Sequence, residues 1–201
     1  MTTSSRLWPH MVGSLRNCLG KEIERQYATL VKAKLVKSYA KKGTIMTQSY
    51  TTTFTVDQTP EEAFAAITNV RGWWSGEIEG STDTLGDEFT YRHKDVHYSK
   101  QRITELIPDK KVVWLVLDAQ LNFVKDKTEW TNTEITFEIS EKGDQTEIHF
   151  THLGLVSEFE CFDSCSNAWG FYINGSLRSL ITTGKAQPNQ EEKADVEKAS
   201  R

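Results

Sequence analysis

One long helical pattern closes the chain after a series of strand-like segments, and this order restricts the folds that the chain can adopt. From Phe162 to Leu180 apolar residues recur every three or four positions, and Gly184 follows as a stop signal. The segment from Ser157 to Glu160 has the sequence of a capping box, which predicts a helix of about 26 residues that begins at Ser157. A helix with one apolar face must bury that face against another layer, and the preceding strands supply it.

The N-terminal side of the predicted domain contains one strand and two short helices. Tyr50–Val56 consists of threonine and apolar residues, which favours a strand. Thr59 and Glu62 are spaced as a capping box, and proline occupies the first helical position, so a helix is expected over Pro60–Ile67. A second short helix is expected over Val70–Trp74.

Five further strand-like segments follow, separated by turn residues. They are expected at Glu88–Tyr91, Val96–Ile107, Lys111–Leu117, Glu134–Ile139 and Glu147–Phe150. The connections at Pro108-Asp109 and Lys142-Gly143-Asp144 have the turn chemistry that joins antiparallel neighbours. The predicted fold class is therefore α+β: a curved antiparallel sheet around the long C-terminal helix, with two short helices after the first strand.

Charge divides the chain into parts of different character. Residues 1–46 hold nine Lys/Arg and two Asp/Glu, whereas the remainder holds fifteen Lys/Arg and twenty-six Asp/Glu. We expect a basic N-terminal extension with an amphipathic helix over 1–46, a folded domain over 47–185 and a disordered tail over 186–201. The extension is a helix that packs on the domain, a targeting or membrane-surface segment, or sequence upstream of a natural start at Met46. The last interpretation is preferred.

Composition also restricts location and partners. No segment has the roughly eighteen uninterrupted apolar residues of a transmembrane helix, and the N-terminus lacks the apolar run of a secretory signal. Cys18, Cys161 and Cys165 form no paired framework and favour a reducing compartment, so a cytoplasmic location is expected. An acidic domain repels a phosphate backbone, so no nucleic-acid partner is expected. The sequence leaves the oligomeric state open.

Three segments of the acidic domain carry specific motifs: Glu129-Trp130-Thr131-Asn132-Thr133, Thr151-His152-Leu153-Gly154-Leu155, and Trp169 followed by Gly175-Ser176-Leu177 and Thr183-Gly184-Lys185. Together they resemble the recurrent signature of one branch of the START-like (SRPBCC) superfamily, whose helix-grip fold has the element order predicted above. The branch resembles the C-terminal domain of the activator of the ninety-kilodalton heat-shock protein's ATPase. The resemblance covers about Thr47 to Pro188 and departs at Asn132, where glycine is expected. Relatives include hydrophobic-ligand binders, polyketide cyclases and chaperone activators, so the resemblance implies the fold and leaves the function open.

Two sets of histidines have a chemical and a structural interpretation. His93, Asp95 and His97 would share one face of an unbroken strand, as metal ligands require, but the same segment is the best predicted turn, which separates them. His152 shares strand parity with Phe150 and is expected to face inward, as an acid, base or ligand donor or, more often for such a residue, as a structural brace. No metal site is predicted.

Nucleophilic and cofactor-binding motifs are missing from the sequence. Cys161 and Cys165 lie one helical turn apart and are interpreted as buried helix thiols. Glycine-rich phosphate loops, HExxH and Gly-x-Ser-x-Gly elements do not occur. We therefore predict no catalytic residue and no cofactor.

Large side chains are distributed so that they can point into the space between the sheet and the last helix. The expected lining residues of an internal cavity are Trp73, Phe89, Tyr91, Trp114, Phe137, Phe150, His152, Trp169 and Ile173. The alternative is that the same side chains fill an ordinary core. The preferred function is the binding of a small hydrophobic or amphipathic molecule; the alternatives are a chaperone-linked interaction protein and a cyclase- or hydrolase-type enzyme that uses His152.

Overall fold

A computed structural model of the chain describes residues 48–187. In chain order the elements are β1 (Tyr50–Val56), α1 (Pro60–Thr68), α2 (Val70–Trp73), β2 (Glu77–Gly80), β3 (Glu88–His93), β4 (His97–Ile107), β5 (Lys111–Leu121), β6 (Glu134–Lys142), β7 (Gln145–Leu153), α3 (Phe162–Gly170), a π-helical segment (Phe171–Leu177) and α4 (Arg178–Thr183). The last three run on without a break as the final helix, 162–183. The predicted basic extension and most of the predicted tail lie outside the described residues.

The seven strands form one sheet with only antiparallel neighbours. Their order across the sheet is β1-β7-β6-β5-β4-β3-β2. The two short helices follow β1, and the final helix packs on the inner side of the sheet. The predicted α+β helix-grip architecture is confirmed. Strand β2 was not predicted, because its four residues contain only one apolar side chain and it is held by pairing with β3.

The start of α1 is specified locally, as predicted. The Glu62 backbone N–H donates to Thr59 Oγ1 at 3.2 Å, and the Thr59 backbone N–H donates to Glu62 Oε2 at 2.8 Å. This reciprocal pair satisfies two donors that a helix terminus leaves free.

The predicted start of the final helix is wrong. The helix begins at Phe162, not at Ser157, and the Ser157 hydroxyl reaches only the neighbouring Glu158 carboxylate at 3.4 Å. The Glu129 carboxylate, from the loop before β6, accepts from the Cys161 N–H at the N-cap at 2.9 Å and from the preceding Glu160 N–H at 2.7 Å. A side chain distant in sequence therefore replaces the local capping box.

Strands β3, β4 and β5 project beyond β6 at one end of the sheet. Strand β5 pairs with β6 only from Lys111 to Leu115, whereas it pairs with β4 as far as Leu121, opposite His97. The segment 118–121, expected to be irregular, is thus part of β5. The overhang leaves the inner faces of β3, β4 and β5 to be covered by the loop 122–133 and by α3.

Among the residues that the structure describes, no helix is long and apolar enough to cross a membrane. The buried apolar residues lie between the sheet and the helices, where one cluster joins α1, α2, the final helix and the inner side of the sheet.

Candidate functional site

A cavity of about 380 Å³ lies under the overhang of β3, β4 and β5. The β3–β4 hairpin contributes Tyr91, His93, Val96 and His97, and the loop after β5 contributes Phe123 and Trp130. The final helix contributes Ser164, Cys165, Ala168, Trp169 and Tyr172, and Trp74 follows α2. The cavity is therefore built where the sheet ends, not in the middle of the grip.

Two of the nine predicted lining residues, Tyr91 and Trp169, line this cavity. The side chains of Trp73, Phe89, Trp114, Phe137, Phe150 and Ile173 are buried away from it and form what we call the filled core. Rings in the filled core touch: Trp114 lies edge to face with Phe89 and Phe137, with ring centroids 5.2 and 5.1 Å apart. Side chains in such contact leave no room for a ligand between them.

Sequence reasoning missed most of the cavity wall. Val96 lies in the β3–β4 turn and Phe123 in the loop after β5, two places where exposed apolar residues are common and carry no periodic signal. Trp130 offered a signal, because it belongs to a family signature segment. His97 had been weighed only as a metal ligand.

Hydrogen bonds join the two loops that form the rim. The Asn122 backbone N–H donates to the Val96 carbonyl at 2.9 Å, and Asn122 Nδ2 donates to the Asp95 carbonyl at 2.6 Å. Val96 and Phe123 stay 44% and 43% exposed on this rim. The mouth of the cavity is thus an apolar edge with fixed backbone.

Stacked aromatic rings form the walls. Trp74 lies on Tyr91 with centroids 4.1 Å apart and planes inclined by 10°, and Trp130 lies parallel to Trp169 at 5.7 Å and 12°. Trp74 and Trp169 meet at 5.1 Å and join the two stacks. The cavity is therefore walled by flat aromatic faces.

His152 lies behind the cavity wall and is fully buried. Trp169 Nε1–H donates to His152 Nδ1 at 3.0 Å, so Nδ1 is the acceptor and the ring proton is on Nε2. Nε2–H then donates to Thr133 Oγ1 at 2.8 Å, and the Thr133 hydroxyl donates to the Trp130 carbonyl at 2.5 Å. Burial lowers the pKa of His152 to about 3, with the nearby His97 as a smaller cause. Both ring nitrogens are occupied, which favours the structural interpretation.

The first signature segment holds this wall in place. Its Glu129 carboxylate caps the final helix, Trp130 lines the cavity and Thr133 binds His152. Asn132 has φ of +66°, a left-handed conformation that asparagine tolerates better than most residues. Glycine, the residue that the signature has at this position, adopts this conformation without steric cost.

His97 and Trp130 meet at the cavity. Their rings are perpendicular at 89° with centroids 4.5 Å apart. Burial lowers the pKa of His97 to about 3, with His93 as a smaller cause. Within residues 48–187, neither His97 Nε2 nor Trp130 Nε1 has a hydrogen-bond partner, although both atoms are buried.

Charged side chains and grouped metal ligands were sought in the cavity wall. Over the described range 48–187, no Asp, Glu, Lys or Arg lines the cavity, and no three His, Cys, Asp or Glu residues are grouped as metal ligands. Asp95 lies in the predicted turn, but the turn does not separate the two histidines as expected, because His93 and His97 pair across the hairpin and both line the cavity. Hydrogen bonding with Cys165, followed by burial, raises the pKa of the Cys161 thiol, so this thiol stays protonated.

The chain matches a known protein family in sequence and several solved structures in fold. A family model described as "Activator of Hsp90 ATPase homolog 1-like protein" matches residues 57–182, which is more than half of the chain. No curated protein matches the chain in sequence.

Solved structures share the fold. The solution structure of the Aha1 dimer from Colwellia psychrerythraea is 24% identical with a TM-score of 0.56, covering 69% of this chain and 99% of that one. A protein from Staphylococcus saprophyticus is 15% identical with a TM-score of 0.53, covering 70% and 96%. CalU16 from Micromonospora echinospora is 14% identical with a TM-score of 0.50, covering 76% and 83%. At these identities the likeness is one of fold.

Proposed function

The chain belongs to the family of Activator of Hsp90 ATPase homolog 1-like proteins, and we propose that it is a binding protein that takes a small hydrophobic or amphipathic molecule into the cavity under the sheet overhang. The observation that carries this proposal is the composition of the cavity wall. Stacked aromatic rings enclose about 380 Å³, and none of the described residues that line it is Asp, Glu, Lys or Arg. A space of this size suits a small organic molecule.

An enzymatic role for His152 receives no support from its surroundings. An acid or base must exchange a proton with substrate, but both nitrogens of this imidazole are engaged by Trp169 and Thr133. A pKa of about 3 also keeps the ring neutral near pH 7, so it is not a proton donor there.

A ligand screen on the full chain tests the binding proposal. Thermal unfolding is followed with a library of aromatic and lipid-like compounds, because a ligand that binds only the folded protein raises its melting temperature. Trp74, Trp130 and Trp169 line the cavity, so their fluorescence reports occupancy independently.

Two tryptophan substitutions at neighbouring positions locate the bound compound. Ala168 is exposed and lines the cavity, whereas the adjacent exposed Asn167 does not line it. Ala168→Trp should block the mouth and abolish the thermal shift, and Asn167→Trp should leave it unchanged. The proposal is contradicted if no compound raises the melting temperature, or if Ala168→Trp responds like the wild type.

The family match supports a second candidate, a chaperone partner. It is tested by measuring the ATPase rate of the ninety-kilodalton heat-shock protein with and without the full chain. An increased rate would favour this candidate, and Ala168→Trp then shows whether the cavity is needed for the effect.

A further inference from the structure

The residues that line the cavity divide into a floor and an outer wall. The floor consists of the five lining residues that are buried, which are Trp74, Tyr91, Trp130, Cys165 and Trp169. The outer wall consists of the other seven, of which Val96, Phe123, Ser164 and Ala168 are exposed and His93, His97 and Tyr172 are half-buried. A molecule that enters from solvent therefore passes the outer wall before it reaches the floor.

The three tryptophans of the floor offer no indole nitrogen to a ligand. Trp169 Nε1–H donates to His152 Nδ1 at 3.0 Å, and the Trp74 side chain is hydrogen-bonded with Tyr91. Trp130 Nε1 has no partner within residues 48–187, but it has almost no accessible surface and does not open onto the cavity. The three rings therefore present apolar surface to a bound molecule.

The hydroxyl and the thiol of the floor are engaged as well. The Tyr91 hydroxyl is hydrogen-bonded with Ser75 and Tyr172 as well as with the Trp74 indole, and three partners occupy the one donor and two acceptor positions of a hydroxyl group. The Cys165 thiol is hydrogen-bonded with the thiol one helical turn before it. A polar group of a ligand that reached the floor would therefore lose its hydration and gain no partner.

The polar side chains that are open to a ligand lie on the outer wall. Ser164, on the final helix, is exposed, and His93, on the hairpin, is half-buried. Both can bond to a ligand group that keeps part of its water, either directly or through a bridging water molecule. Polarity at the outer wall is thus tolerated, whereas polarity at the floor is costly.

We propose that the cavity selects amphipathic molecules that have one polar end. Their apolar body lies against the floor, and the polar group stays at the outer wall beside Ser164 and His93, in contact with water. Molecules that are polar at both ends are rejected, because one end would have to be buried against the floor. The inference rests on the proposed function and adds the class of the ligand and its orientation.

Three uncharged probes with one ring system test the class. Binding of naphthalene, 2-naphthalenemethanol and 2,6-naphthalenedimethanol to the full chain is measured by calorimetry. We expect 2-naphthalenemethanol to bind at least as tightly as naphthalene, because its hydroxyl stays hydrated at the outer wall. 2,6-Naphthalenedimethanol should bind at least about tenfold more weakly than 2-naphthalenemethanol, because its second hydroxyl is buried without a partner.

Nuclear Overhauser effects measure the orientation of bound 2-naphthalenemethanol. Its methylene protons should lie near the methyl groups of Val96 and Ala168 on the outer wall. The ring protons at the far end should lie near the rings of Trp74 and Trp169 on the floor. The opposite pattern overturns the proposed orientation.

Two cysteine substitutions test the floor itself. Cys165→Ser adds a hydroxyl to the floor that can bond to the second hydroxyl of the ligand, so it should bring the affinities for the two alcohols closer together. Cys161→Ser is the matched control, because Cys161 is buried one turn away and does not line the cavity. It should leave the ratio of the two affinities unchanged.

The outcomes separate this inference from the proposed function. Equal binding of the two alcohols, or an unchanged ratio in Cys165→Ser, overturns the selection for one polar end while cavity binding stands. Weaker binding of 2-naphthalenemethanol than of naphthalene overturns it in favour of a wholly apolar ligand. If none of the three probes binds, cavity binding of ring compounds is overturned together with this inference.

Discussion

Trp114 and Trp130 are two buried tryptophans on the inner side of one sheet, and neither indole nitrogen has a hydrogen-bond partner among the described residues 48–187, yet their surroundings differ. Trp114 lies at the centre of the filled core and touches Trp73, Phe89 and Phe137. Trp130 lies under the overhang, with Trp169 on one side and the cavity beside it.

The difference shows how one fold can be closed at one end and hollow at the other. Where β5 pairs on both sides, the helices press against a complete sheet and aromatic rings meet each other. Beyond Leu115, β4 is the one strand that pairs with β5, and the loop 122–133 covers the other edge, where it exchanges backbone hydrogen bonds with Val116 and Leu121. The lengths of the strands, more than the types of residue, decide which aromatic side chains pack in the filled core and which line the cavity.

The largest expected effect separates the two regions by stability. Trp114→Ala should lower the free energy of unfolding by about 3–5 kcal/mol, because it leaves a cavity in a packed core. Phe123→Ala, at a side chain 43% exposed on the rim, should cost less than about 1 kcal/mol. Urea denaturation measures both. Similar losses for the two variants would mean that the core is not filled as described.

Acid should lower the free energy of unfolding, because two histidines are buried as neutral rings between the cavity and the filled core. His97 and His152 have pKa values of about 3 in the folded protein against an ordinary value of 6.5, so below pH 6.5 the unfolded chain binds protons that the folded chain does not. Stability is therefore complete above about pH 6.5 and falls on acidification. By pH 5 the loss is about 1–2 kcal/mol for each histidine.

Denaturant titrations at pH 7 and pH 5 measure this loss, and His97→Phe isolates one contribution. The variant should lose less stability between the two pH values than the wild type does. An identical loss would show that His97 titrates normally in the folded protein.

Breaking the hydrogen-bond chain behind the cavity should have a moderate effect. His152→Phe leaves Trp169 Nε1–H without an acceptor and should cost about 2 kcal/mol. The double variant His152→Phe/Trp169→Phe removes the stranded donor, so it should cost less than the sum of the single variants. Chemical denaturation measures the three free energies of unfolding. If the losses are simply additive, the His152–Trp169 hydrogen bond is not the link between β7 and the final helix.

The smallest effect tests which residue caps the final helix. Glu129→Ala should cost about 1 kcal/mol, because the Glu160 and Cys161 N–H groups lose their acceptor. Ser157→Ala should change the free energy of unfolding by less than about 0.5 kcal/mol, since its hydroxyl caps nothing. A larger loss in Ser157→Ala, seen by thermal denaturation, would restore the local capping box.

Features that depend on neighbouring residues could be predicted from the sequence, and those that depend on distant pairing could not. The Thr59 box acts over three residues and was correct, whereas the cap of the final helix comes from Glu129, more than thirty positions away, and was missed. The alternation of β7 correctly turned Phe150 and His152 inward. Periodicity gives direction but not distance, so it could not tell that Phe150 packs against Phe137 while Trp169 lines the cavity.

The π-helical segment has a consequence for the geometry of the final helix. Its buried residues Cys165, Trp169, Ile173, Leu177 and Ile181 are spaced by four along the chain. An α-helix advances about 100° per residue, so residues spaced by four drift by about 40° at each step and would wind around to the opposite side after four steps. The wider turns between Phe171 and Leu177 cancel much of that drift. One straight line of side chains can therefore face both the hollow end and the closed end of the sheet.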